Sequence, residues 1–140
     1  MKVKVMMAMI AIFAASVFPV SAQTGNPKNA DQNISGDKVE VYYFHYSRRC
    51  ATCQAVEDQS KKALEELYPE KVKSGDYVFI ELSIEDETNA TLMEKLNVQG
   101  QSLLVVKGDN QKNLTNVAFM NARSKPDKLK EEIKKAVESL

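Results

Sequence analysis

The chain has 140 residues, 19 basic and 19 acidic side chains, and two cysteines. Its net charge of zero gives no basic stripe, which excludes the electrostatic footprint of a nucleic-acid-binding surface. Two cysteines also exclude a small secreted scaffold that needs several bridges in place of a core.

Taken in chain order, Met1 to Ala22 has the grammar of a secretory signal peptide. Lys2 and Lys4 charge its start, Val5 to Val20 is apolar apart from Ser16, and Val20-Ser21-Ala22 supplies small residues for cleavage before Gln23. The alternative is an uncleaved membrane anchor, against which stand the shortness of the apolar run and the cleavage site directly after it. Removing 22 residues, Lys2 and Lys4 among them, leaves 118 residues with 17 basic and 19 acidic side chains. That length suits one domain with a core of its own. The expectation is an exported protein, periplasmic or secreted, with no membrane span once the signal is cleaved.

Residues 23–37, QTGNPKNADQNISGD, hold a single large apolar residue, Ile34, and read as a polar tether. VEVYYFHY at 39–46 is rich in β-branched and aromatic residues whose apolar character runs on, which predicts a central strand. After the cysteines, Cys53, Val56, Ala63, Leu64 and Leu67 share a helical face, with Glu57, Asp58, Lys61, Lys62, Glu65 and Glu66 on the other positions. This predicts a helix over 51–67, stopped near Pro69. YVFIELSI at 77–84 predicts a second buried strand, and ETNATLMEKLN at 87–97 a short helix with Leu92, Met93 and Leu96 inward. SLLVV at 102–106 predicts a third strand, KGDNQKN at 107–113 a hairpin turn, and LTNVAFM at 114–120 the return strand. Leu129, Ile133, Val137 and Leu140, with Ala136, predict a closing helix started by Ser124, Pro126 and Asp127. The order βαβαββα argues a three-layer α/β domain with a mixed sheet over 38–140.

Both cysteines lie in SRRCATCQAVED, residues 47–58, at a strand-to-helix junction. With Cys50 at the helix cap, Cys53 sits one turn on and the two side chains reach bonding distance. The unpaired N–H groups at that end favour the thiolate of Cys50, beside which Arg48 and Arg49 add positive charge. Cys53, a turn inside, is the more buried. The asymmetry suggests Cys50 as attacking thiol and Cys53 as resolving thiol. Two alternatives stay open. One is a structural disulfide, worth only about 2 kcal/mol for so short a loop. The other is a metal pair, which lacks the four ligands of zinc but leaves copper conceivable through His45, Met93 or Met120.

With the pair so placed, the chain resembles the thioredoxin fold over about residues 38–140. VEVYYFHYSRRCATC resembles the strand leading into that family's redox motif, and LNVQGQSLLVVKGD the segment facing it. The resemblance implies a three-layer α/β/α domain with a four-stranded mixed sheet. It further implies thiol–disulfide exchange with protein thiols or disulfides, no bound cofactor, and a separate redox partner that supplies or removes electrons. It also makes Gln101 and Ser102 candidate substrate contacts. Three departures accompany it: Arg49 where the family commonly has tryptophan, Ala51-Thr52 between the cysteines, and Gln101 where a cis-proline belongs. A cis bond before a non-proline residue costs about 3 kcal/mol, so a trans bond is expected there. The family's buried acid finds no counterpart on the strand, where Glu40 is the only carboxylate.

His45 is a candidate for proton transfer, or a strand-end residue with no chemistry. Arg48 and Arg49 either activate Cys50 and guide an acidic substrate or are solvated loop residues. Asn33, Asn89 and Asn113 each begin a glycosylation-type triplet. Set against the oxidoreductase is a non-enzymatic reading: a protein-interaction or copper-carrying module whose cysteine pair is inert.

Overall fold

The computed structural model describes residues 38–140. The expected signal peptide and tether lie outside the described residues. Ten elements follow one another: β1 Val39–His45, α1 Ala51–Leu67, α2 Pro69–Ser74, β2 Tyr77–Ser83, a 3-10 turn Glu87–Asn89, α3 Ala90–Lys95, β3 Ser102–Lys107, β4 Asn110–Asn113, α4 Thr115–Asn121 and α5 Pro126–Glu138. The sheet order is β2-β1-β3-β4, with β1 parallel to β2, β3 antiparallel to β1, and β4 antiparallel to β3. This is the mixed four-stranded sheet that the thioredoxin resemblance implies.

β1 is buried on both faces because both are covered. Val39, Val41 and Tyr43 pack with Val56, Leu64, Leu129 and Ile133 under α1, α4 and α5. Tyr42 and Phe44 point the other way, against Leu92 and Leu96 of α3 and its flank. The unbroken apolar run of β1 reflects these two cores, one on each side of a strand whose side chains alternate. Glu40 is buried on this strand with Tyr42 Oη donating to its Oε2 at 3.0 Å, and burial raises its pKa above the usual carboxylate range.

Four expectations are corrected. The return strand is not LTNVAFM but the all-exposed Asn110–Asn113, which no hydrophobic pattern marks. Gly108, with φ of 57°, turns the hairpin tightly, so β4 begins within the stretch expected to be turn. Leu114, Ala118 and Ala122 recur every four residues and are all buried, and that period makes Thr115–Asn121 a helix. Pro69 ends α1 but also opens α2, where a missing N–H costs nothing at the first position; α2 stops at Gly75, φ 80°. β2, finally, is a half-buried edge strand and not a fully buried one. Among the described residues no helix is long and apolar enough to cross a membrane.

Candidate redox site

The site forms where β1 ends and α1 begins. Cys50 takes extended backbone angles, φ −87° and ψ 164°, and caps α1, its Sγ accepting from Cys53 N at 3.2 Å. One turn of helix brings Cys53 back beneath it, Cα to Cα 5.1 Å, and the two are joined as a disulfide. Cys50 is exposed, whereas Cys53 is 4% exposed. Cys50 Sγ sits at the N-terminus of the seventeen-residue α1, where the helix dipole favours negative charge on that sulfur when the bond opens.

Cys53 is held from two sides. Tyr43 Oη donates to its carbonyl at 3.0 Å, and Gln101 Nε2 approaches its Sγ at 3.5 Å from the segment entering β3. The peptide bonds of the described residues are all trans, that before Gln101 included. Ser102 is buried and donates its hydroxyl to Gly100 O at 3.0 Å, so that group is occupied within its own loop.

Arg49 does not turn toward the sulfurs. Its Nη1 pairs with Glu57 Oε2 as a close ion pair, its Nη2 lies 3.9 Å from Glu81 Oε2, and its Nε lies 3.3 Å from His45 Nδ1. The same Nδ1 lies 2.9 Å from Tyr46 O. One ring nitrogen cannot accept from Arg49 and donate to Tyr46 at once, so the His45 tautomer decides which bond exists. Arg48 is exposed and pairs with no acid among the described residues. The loop carrying both arginines is tied across to the next loop by Ser47 N, which donates to Glu85 Oε2 at 2.6 Å and holds that carboxyl below its usual range.

Glu57 is the residue that sequence reasoning missed. It was placed with the solvated positions of α1, yet it lies one turn after Cys53 and one before Ser60, both buried. A carboxyl at i+4 from an inward cysteine and i−3 from an inward serine was the available signal. Burial pushes its pKa up to about 7, the nearby Glu81 adds to the rise, and Arg49 opposes it. Burial likewise pushes the Tyr43 hydroxyl up to about 12, with Arg49 lowering and Glu57 raising it. Tyr43, Arg49, Glu57 and Glu81 thus form one electrostatic group against the first two turns of α1.

The ligands considered for copper are dispersed. Met93 packs in the α3 cluster on the opposite face of the sheet, and Met120 is 76% exposed on α4. Among the described residues no three His, Cys, Asp or Glu side chains come together as a metal site would need.

No family model matches this chain, and no curated protein matches it. Solved structures of similar shape include thioredoxin O2 from Arabidopsis thaliana in the oxidized state, at 24% identity and a TM-score of 0.42, covering 55% of this chain and 61% of that one. The match therefore spans less than two thirds of the plant protein's length. A second is the thioredoxin of Fasciola hepatica, at 17% identity and a TM-score of 0.47, covering 71% of this chain and 82% of that one. A third, described only as a malarial protein, has 16% identity and a TM-score of 0.38, covering 59% and 93%.

Proposed function

We propose that this chain of thioredoxin-like fold is an exported thiol–disulfide oxidoreductase acting on protein thiols or disulfides. The observation that carries the reading is the asymmetry of the pair: Cys50 exposed at a helix cap, Cys53 buried one turn inside and bonded to it. A symmetrical staple needs no such difference, and a three-residue separation constrains little of the unfolded chain.

In the reducing direction, the Cys50 thiolate attacks one sulfur of a substrate disulfide, forming a mixed disulfide and releasing the other sulfur as a thiolate. The Cys53 thiol then gives up its proton and attacks Cys50 Sγ. The Cys50–Cys53 bond forms, and the second substrate thiol leaves. Cys53 is too buried to give its proton freely to water, and we assign the receiving role to Glu57, four residues on along the same helix. A group with pKa of about 7 accepts and returns protons readily at neutral pH. Run backwards, the same steps oxidise substrate thiols. Either direction requires a redox partner to restore the pair, and no bound cofactor enters the cycle. Export rests on the signal-like Met1–Ala22, which places the working protein in a periplasmic or secreted setting where disulfide chemistry is in demand.

The test is the reduction potential of the pair against a glutathione series, with the pH dependence of Cys50 alkylation. A Cys50 pKa clearly below the free-thiol value of about 8.5, with exchange lost in Cys50→Ser, supports catalysis. An inert disulfide with an unperturbed thiol leaves the non-enzymatic binding module in its place.

A further inference from the structure

We propose that Gln101 is a catalytic residue of the exchange reaction, its side-chain amide stabilising the negative charge that Cys53 Sγ carries whenever its bond to Cys50 opens or closes. This role rests on the oxidoreductase reading above and goes beyond it, because it gives the buried sulfur a stabilising group of its own. The two sulfurs have different donors. Cys50 Sγ accepts from the backbone N–H of Cys53 at 3.2 Å, whereas Cys53 Sγ accepts from Gln101 Nε2 at 3.5 Å, a hydrogen-bond distance for so large an acceptor atom. No other donor reaches Cys53 Sγ among the described residues. The first bond belongs to the helix cap, and the second to a side chain 48 positions further along the chain.

Strand pairing brings that amide to the sulfur. Ser102 opens β3 opposite Phe44 of β1, so Gln101, just before it, lies at the end of the sheet from which the chain passes into α1. Tyr43, next to Phe44, donates its hydroxyl to Cys53 O at 3.0 Å and holds the first turn of α1 from the same strand. The segment carrying Gln101 is itself tied down. The Ser102 hydroxyl donates to Gly100 O at 3.0 Å, and Leu103 N donates to Thr115 Oγ1 at 3.1 Å. Gln101 is half-buried, and a neutral amide presents its N–H there without the desolvation cost of a charged side chain.

In the oxidising direction a substrate thiolate attacks the exposed Cys50 Sγ. A new sulfur–sulfur bond forms there, the Cys50–Cys53 bond breaks, and its electron pair leaves on Cys53 Sγ. A disulfide sulfur is a weak acceptor and a thiolate a strong one, so the amide bond tightens as the charge arrives. Stabilising the leaving thiolate speeds its departure, which directs the incoming sulfur to Cys50 and makes Cys53 the one released. In the reducing direction the same bond holds Cys53 Sγ as the anion that attacks Cys50 Sγ, while the electron pair of the mixed disulfide passes to the substrate sulfur.

A titration of Cys53 tests this apart from any exchange activity. Cys50→Ser leaves Cys53 as the only cysteine of the chain, and the Cβ resonance of isotope-labelled Cys53 follows its ionisation without access from solvent. In that background Gln101→Met, which keeps the side-chain length but has no donor, should raise the Cys53 pKa by about one unit, about a tenfold loss of thiolate at a given pH. Gln101→Glu keeps the shape of the side chain should methionine disturb the loop, and sets a carboxylate where the amide was; it should raise the Cys53 pKa at least as far. The other titratable and charged groups near Cys53 are Glu57 on its own helix and Tyr43 on β1, with Arg49 and Glu81 beside Glu57, and all four are the same in every protein compared. With both cysteines present, the oxidised Gln101→Met protein should be reduced by glutathione several-fold more slowly than the parent. A Cys53 pKa that neither substitution raises, or a reduction rate that Gln101→Met leaves unchanged, overturns the proposal. Disulfide exchange that persists in Cys50→Ser overturns the oxidoreductase reading and the role of Gln101 with it; exchange lost there with an unmoved Cys53 overturns the role alone.

Discussion

Replacing Glu57 by Gln should flatten the fall of stability with rising pH. In the folded chain burial holds this carboxyl up to about 7, whereas in the unfolded chain it titrates at its ordinary 4.5. Between those values the folded state binds more protons, so stability is highest below the unfolded pKa and falls as pH rises through the folded one. At about 1.4 kcal/mol per tenfold, the interval sets a ceiling of about 3 kcal/mol. Glu81 is 57% exposed and admits water to the group, which reduces the expected loss to about 1–2 kcal/mol. Urea unfolding of the oxidised protein at pH 5 and pH 8 measures it, with the variant compared to the parent at each pH. Losing the Arg49 pair lowers the variant's stability, but glutamine carries no charge, so the difference in slope isolates Glu57. Parallel pH curves for the two proteins refute the argument that burial raises the Glu57 pKa, and with it the proton-accepting role.

Two further substitutions test the packing around the site. Tyr43→Phe removes the hydroxyl that donates to Cys53 O without opening a cavity, and should cost about 1 kcal/mol in urea unfolding; no change would mean the bond adds nothing to holding α1 on β1. Ser60→Ala removes a fully buried hydroxyl that has no hydrogen-bond partner, and should raise stability by about 1 kcal/mol, read as a higher Tm; a lower Tm would show that Oγ is bonded after all.

The helices α1 and α5 and the central strand β1 were legible because their apolar side chains recur regularly. Cys53, Val56, Ala63 and Leu64 are buried on α1 as their spacing predicts, and Leu129, Ile133, Ala136 and Val137 are buried on α5. The errors fell where composition and partner disagree. β4 is a strand only because β3 offers its edge, since four exposed polar residues carry no pattern of their own. α4 was hidden by β-branched and aromatic residues, Thr115, Val117 and Phe119, that read as strand while alanines set the period.

At the site, the position of the cysteines at a strand-to-helix junction follows from local signals, and so does the cap that Cys50 makes. Arg49 looked local too, as a charge beside the thiol, yet it pairs with Glu57 in the second turn of α1 and with Glu81 on another strand. No local rule could show that, because Tyr43 and Glu81 are brought side by side only when β2 pairs with β1. Sequence by itself determined the periodicities, the caps and the spacing of Cys50 and Cys53, which depend on neighbours within a turn or two. Only the tertiary structure decided which carboxyl is half-buried against Arg49 and how the four strands pair. Desolvation and strand pairing depend on groups distant along the chain, and they exist only once it has folded.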